Sequence, residues 1–216
     1  MSAYVIVDLE MCMIPPGEKR DTFGWSSELI QIGAVLLDDD YEIADTFMTH
    51  VAPVFGSVDA YIEKLTGITR EDTRNAPSTK DALEAFMGWL PEDAVAVSWS
   101  RSDEIQIRKE IEGKQLHIDG LEELMAGWQD CQETFGQKMN TSRNYKLSEA
   151  LIMCDIDLED GEHDALVDAR NTAKLFAKMQ RESQLTLSRY LISEEETKGS
   201  AYNPFAELLK KMNSDT

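Results

Sequence analysis

The chain is short of cysteine, of positive charge and of long apolar runs, and each shortage narrows what it can be. Its 216 residues include three cysteines, Cys12, Cys131 and Cys154, an odd number with no paired or CxxC spacing. That argues against a disulfide framework or a zinc site and for a reducing compartment. No basic segment followed by an apolar run opens the sequence, and no stretch is long enough to span a bilayer. The expected location is the cytoplasm, with no membrane partner. Lysine and arginine together number 21 against 41 aspartates and glutamates, a formal net charge of −20. Proteins that grip long nucleic acids usually carry a basic face, because phosphate neutralisation and counterion release dominate their affinity. An acidic surface favours solubility. Any nucleic acid partner is therefore expected to be held by its end, in a small metal-filled pocket.

What is present suits one domain with an extension. A hydrophobic fraction of 42% and a charged fraction of 29% are ordinary for a globular protein, and the length allows a substantial core. Residues 3–9 form a continuous apolar run that reads as a buried strand. Residues 12–27, with Pro15, Pro16 and Gly17, read as a loop. Residues 28–37 and 41–51 read as two further strands around an Asp38-Asp39-Asp40 turn, an antiparallel meander. Short helices are expected over 58–65 and from Thr69, a capping residue with Asp72 three positions on. Ser78 caps a helix over 79–90, closed by Pro91, and residues 94–98 are a second buried strand. Ser102 or Asp103 opens a helix to about 112, and Gly120 precedes an amphipathic helix reaching roughly 135. A polar loop over 136–144 precedes helices over 146–154 and 165–181. The domain is expected to span 1–183. Residues 184–216 form an extension: a charged linker over 193–199, then an amphipathic helix over 203–212 that covers the core or docks a homodimer or protein partner. The order of elements predicts an α/β fold with one mixed sheet flanked by helices.

Three groups of residues carry chemistry. Asp8 and Glu10 end the first strand, and strand alternation puts both on one face with Leu9 on the other. The ends of buried strands are where α/β sheets place ligands, although a fraying strand end with solvated acids has the same pattern. Asp103 follows the second buried strand, where it either joins a site or caps a helix. His163 and Asp168 are five residues apart, about 140° around one helix, so they cannot share a helical face. The spacing works if Asp168 lies on the helix and His163 in the loop before it. Ala165, Leu166, Ala169 and Ala173 put Asp168 near a packed face, where an acid needs a partner such as a cation.

Taken together, DxE on the first strand, Asp after a later strand and HxAxxD at a closing helix resemble the DEDDh (DnaQ-like) 3′–5′ exonucleases. Glu28 to Val35 is similar to the family's second strand, and Leu65-Thr66-Gly67-Ile68-Thr69 resembles another of its segments. Ser98-Trp99 before Asp103, and Asp168-Ala169-Arg170-Asn171, are closest to the branch that trims 3′ ends of small and structured RNAs. The resemblance covers residues 2–180 and implies a ribonuclease-H-like fold. It further implies that Asp8, Glu10, Asp103 and Asp168 hold two Mg2+ ions, with Mn2+ able to substitute, and that His163 is the general base. All-oxygen donors suit such hard cations. Four acids crowded together should titrate above their usual range. The implied substrates are 3′ ends of single-stranded RNA, favoured over DNA, cut to nucleoside 5′-monophosphates. A DNA proofreading exonuclease and a non-catalytic module of the same fold are the alternatives. Leu9 and Met11 flank Glu10 where the family meets the terminal nucleotide; Trp25 and Trp99 can stack on bases. Arg101, Arg143, Lys146 and Arg170 are candidate phosphate contacts.

Overall fold

The computed structural model describes residues 3–188. Its centre is β1 (Tyr4–Met13), hydrogen-bonded antiparallel to β2 (Ser27–Leu37) on one side and parallel to β4 (Val95–Ser98) on the other. The antiparallel β3 (Ile43–His50) and the parallel β5 (Gln129–Asp130) complete a mixed five-stranded sheet, in the order β3-β2-β1-β4-β5. The expected α/β, ribonuclease-H-like layout with a mixed central sheet flanked by helices is the one found.

Strand alternation sorts the core onto two faces. Val5, Val7 and Leu9 of β1 pack with Ala34 and Ile32 of β2 against α4 (Thr79–Trp89), α5 (Ser102–Lys114) and α6 (Leu121–Ala126). Ile6 and its partner Val35 pack on the opposite face against α7 (Cys131–Lys138), α8 (Leu147–Met153) and α9 (Ala165–Arg181). Asp8 and Glu10 share the parity of Ile6. They therefore emerge on the α9 face, beyond the point where β4 stops pairing with β1 at Ile6.

Two expectations are corrected. Residues 12–27 are not all loop: β1 continues to Met13, and α1 (Glu18–Phe23) follows. Cys12 within the strand and Ile14 just past its end are both buried. Phe23 anchors α1 by stacking on Phe55 with ring centroids 5.0 Å apart. The helix expected from Gly120 to about 135 is broken, because Gly127 ends α6 and Asp130 caps α7 at Glu133 N–H. β5 lies in the gap, paired to β4 through Val97 with Gln129 and Ser98 with Asp130. A strand of two residues shows no period, so nothing in the local pattern announces it.

The short helices follow their caps. Asp59 caps α2 (Ala60–Thr66), Gly67 ends it in the left-handed conformation, and Thr69 and Asp72 close a capping box around α3 (Arg70–Arg74). A buried charge network then fixes α5 against β2. Glu28, fully buried, accepts from Val54, Phe55 and Gly56 N–H at 2.7, 2.8 and 2.6 Å. Lys114 lies 2.7 Å from Glu28 and 2.8 Å from Glu110, whose carboxylate also takes Leu29 N–H at 2.7 Å. Past α9, Leu185 and Leu187 still pack on the core, and Ser188 N–H bonds Met153 carbonyl at 2.8 Å. The linker expected over 193–199 and the helix over 203–212 lie outside the described residues.

Candidate active site

Asp8 and Glu10 face α9 because of their register on β1, opposite Gly33 and Gln31 of β2. Those two β2 residues are what let α9 approach. A Cβ on Gly33 would fall 2.2 Å from the Ala165 carbonyl carbon and 2.3 Å from Leu166 N, so only glycine leaves room for the helix start. Gln31, almost fully buried, accepts the Ala165 N–H at 3.0 Å. The first helical donor therefore has a partner on the sheet itself. Neither residue belongs to the three groups that carry chemistry in the sequence, although a glycine and a glutamine inside an apolar strand signal a close backbone approach and a polar partner.

The turn before α9 is tied to the helix it precedes. Asp164 is the N-cap, accepting Leu166 and Val167 N–H at 2.9 and 3.2 Å. His163 takes the left-handed conformation at φ 68, which a non-glycine residue adopts at a cost. Its backbone N–H donates to Asp168 Oδ2 at 2.9 Å, holding the turn against the first helical coil. His163 is thus in the loop and Asp168 on the helix, as their spacing requires. Glu10, His163 and Asp168 each place a ligating atom within 4.8 Å of the other two.

Asp103 arrives from the other face. It lies in the first turn of α5 but caps nothing: Arg101 occupies the cap position, with no side-chain cap bond. Its Oδ1 instead accepts the Leu9 N–H at 3.2 Å, between the two β1 acids.

The four carboxylates, Asp8, Glu10, Asp103 and Asp168, act on one another. Burial, then the charges of Asp103, Asp168 and Glu10, raise the Asp8 carboxyl well above its usual range. Burial, then Asp168 and Asp103, push Glu10 up to about 8. Burial pushes Asp103 to about 7 against the hydrogen bonds that lower it, one of them from Leu9. Asp168 is raised by burial, with the His163 backbone bond opposing. A donor set of oxygens that cannot all ionise together fits a hard divalent cation, which would neutralise the repulsion that burial sharpens.

The residues considered for substrate contact divide. Leu9 is buried in the core and offers the site its backbone; Met11 is half-buried against the same cluster. Trp99 packs against Phe135 with ring centroids 6.1 Å apart. Trp25 stays partly exposed, with Lys109 Nζ 5.7 Å from its ring centre. Arg101 reaches Glu104 at 3.5 Å, and Arg143 reaches Glu149 at 3.2 Å while lying over Tyr145.

The sequence profile of the Exonuclease (RNase_T) family matches residues 5–176. ERI1 exoribonuclease 2 of Danio rerio is 30% identical over 203 residues, covering 82% of this chain and 35% of that protein. DNA polymerase III PolC-type of Caldanaerobacter subterraneus subsp. tengcongensis is 29% identical over 154 residues, 71% of this chain and 10% of that protein. The chain thus spans only a tenth to about a third of these relatives. Among solved structures, the nuclease domain of 3′hExo, a DEDDh family member bound to rAMP, superposes with a TM-score of 0.73 at 20% identity, covering 87% of this chain and 96% of that one. Cell-death related nuclease 4 (CRN-4) superposes with a TM-score of 0.71 at 19% identity, covering 86% and 66%. At such identities the superpositions speak for the fold, and the profile match over most of the sequence speaks for descent. With the DxE strand, the Asp103 position and the HxAxxD turn set around one point, this chain belongs to the DEDDh family of 3′–5′ exonucleases.

Proposed function

We propose that this chain is a metal-dependent 3′–5′ exonuclease that removes nucleoside 5′-monophosphates from the 3′ ends of single-stranded nucleic acid, RNA in preference to DNA. One observation carries the reading: the convergence of Asp8, Glu10 and Asp168 with His163 on the α9 face, and of Asp103 through Leu9 N–H. Asp8, Glu10, Asp103 and Asp168 hold two divalent cations, Mg2+ being the natural choice and Mn2+ a substitute. When bound, the cations lower the pKa of the attacking water and stabilise the leaving oxygen.

The chain's own groups do the rest. An imidazole nitrogen of His163 takes the proton from water as the water oxygen attacks the last phosphorus. The bond from phosphorus to the 3′-oxygen of the penultimate nucleotide breaks, and the phosphate leaves on the 5′ side of the released nucleotide. The left-handed turn puts the exposed imidazole beside the Glu10 and Asp168 carboxylates. Half-buried Met11 and the Leu9 backbone flank Glu10 in the chain and are the candidate contacts for the terminal nucleotide.

RNA is supported by the name of the ERI1 exoribonuclease 2 relative and by neighbours bound to rAMP and a histone mRNA stem-loop. The DNA alternative is favoured by the PolC-type relative and by exonuclease I complexes with dA16 and dT13. The deciding experiment incubates end-labelled RNA and DNA of one sequence with Mg2+, with Mn2+ and with chelator. A ladder from the 3′ end, faster on RNA and absent in chelator, is expected. Activity that survives chelation would overturn the metal-dependent reading, and faster loss of DNA would reverse the substrate.

A further inference from the structure

Asp103 reaches the site through a short turn, and hydrogen bonds hold that turn from behind. Ser98 closes β4 and shares the α5 face of the sheet with Ala96, because strand side chains alternate. It is fully buried. Its hydroxyl accepts the Trp128 indole N–H at 2.9 Å and donates to the Ser100 carbonyl at 2.5 Å. The same side chain is a hydrogen-bond partner of the Asp103 carboxylate. Next along the turn, the Trp99 carbonyl accepts Gln132 N–H at 2.7 Å, and the Ser100 and Ser102 hydroxyls meet at 2.5 Å. Bonds at Ser98, Trp99, Ser100 and Ser102 thus fix the path from the end of β4 to Asp103.

Trp128 enters this network from outside the turn. It lies between Gly127, which ends α6, and β5, with its ring packed against the core on the α5 and α6 side. An indole N–H donates and cannot accept, and a serine hydroxyl has one proton. With Trp128 donating to it, Ser98 must send its own proton forward, to the Ser100 carbonyl or the Asp103 carboxylate. Without that donor the hydroxyl could turn the other way, and a buried hydroxyl has no bulk water to settle its direction. Leu9 N–H therefore holds Asp103 from the β1 side, and the Trp128–Ser98 pair holds it from the β4 side.

We infer that Trp128 is a positioning residue of the metal site: its indole N–H orients the Ser98 hydroxyl, and the oriented hydroxyl holds Asp103 where its carboxylate meets the cation. The inference rests on the metal-dependent reading above and adds to it a residue outside the DxE, Asp103 and HxAxxD motifs.

The test titrates Mn2+ into the full chain without substrate, reading free Mn2+ by electron paramagnetic resonance. Trp128→Phe keeps an aromatic ring and removes the donor; Ser98→Ala removes the hydroxyl. Each should weaken Mn2+ binding by about tenfold, the low end of what outer partners of metal ligands contribute. The double variant should bind no more weakly than Ser98→Ala alone, because the indole acts only through that hydroxyl. Trp89→Phe is the matched control. It also deletes an indole N–H, the one given to Asp45 at 3.0 Å on β3, at the far edge of the sheet. Its Mn2+ affinity should stay within about twofold of the parent, as expected of an independent site.

A parent-like affinity in Trp128→Phe, or an equal loss in Trp89→Phe, would overturn the inference and leave the exonuclease reading intact. A parent chain that binds no Mn2+ would overturn both. Should Trp128→Phe not fold, Ser98→Ala decides: a loss of about tenfold upholds the inference, and a parent-like affinity overturns it.

Discussion

The Leu9 backbone N–H donates to Asp103 Oδ1 at 3.2 Å, joining residues 94 positions apart. The strand that carries two of the acids thereby fixes the third through its main chain, from the residue that lies between them. The arrangement separates two jobs of Asp103, accepting a hydrogen bond and carrying charge, which substitution can test apart.

Asp103→Asn keeps an oxygen for Leu9 N–H but removes a buried negative charge. The protein should fold with its melting temperature unchanged or raised. Exonuclease activity should fall more than about a hundredfold, beyond what outer partners of metal ligands usually contribute. Thermal melts followed by circular dichroism, alongside an oligonucleotide assay, check both halves.

His163→Asn removes the base while keeping a residue type that tolerates the left-handed backbone. The rate should drop by about 10²–10⁴, with the Mg2+ concentration for half-maximal activity changed only a few-fold. A large loss of Mg2+ affinity with the rate at saturation retained would make His163 a ligand instead.

Gly33→Ala puts a methyl group 2.2 Å from the Ala165 carbonyl carbon, a clash with backbone that no rotamer relieves. It should destabilise the fold by about 1–3 kcal/mol as over-packing does, and displace Asp168 with the helix start. Gln31→Leu leaves the buried Ala165 N–H unpaired, at a similar cost of about 1–3 kcal/mol. Urea melts give the stability; Mg2+ titrations of activity show whether α9 has moved.

The raised acids make a prediction about pH. With Glu10 at about 8, Asp103 at about 7, and Asp8 and Asp168 also raised, the folded state binds protons more tightly than the unfolded chain. Their contribution to stability is full below an unfolded carboxyl pKa of about 4 and is lost as pH rises through the folded values. In chelator, the melting temperature should fall between pH 5 and pH 8.5. Mg2+ should restore most of that fall, and Asp103→Asn should reduce it. A melting temperature in chelator that is flat or rises over this range would contradict the electrostatic account.

How much of this was legible in the sequence depended on whether the signal was local. The apolar run that carries Asp8 and Glu10 and the periodic helix after Asp164 are each signalled within one element, so both elements lie where the sequence puts them, although β1 runs on to Met13. The spacing of His163 and Asp168 even predicted that one had to leave the helix. What escaped was tertiary. β5 is too short for a period, α1 is held by a stack of Phe23 on Phe55, and the roles of Gln31 and Gly33 exist only once α9 has docked. Asp103 was ambiguous because a helix-capping acid and a site acid look alike in sequence; only Leu9 N–H separates them.

The central claim is that these carboxylates, loaded with a divalent cation, cut nucleic acid from its 3′ end. It is tested most directly by following 5′-labelled single-stranded RNA with the parent chain and with Asp168→Asn in Mg2+. The parent should yield a ladder that shortens one nucleotide at a time from the 3′ end and stops on chelation, while the variant leaves the substrate intact. An Asp168→Asn protein that degrades the RNA as fast as the parent would contradict the account.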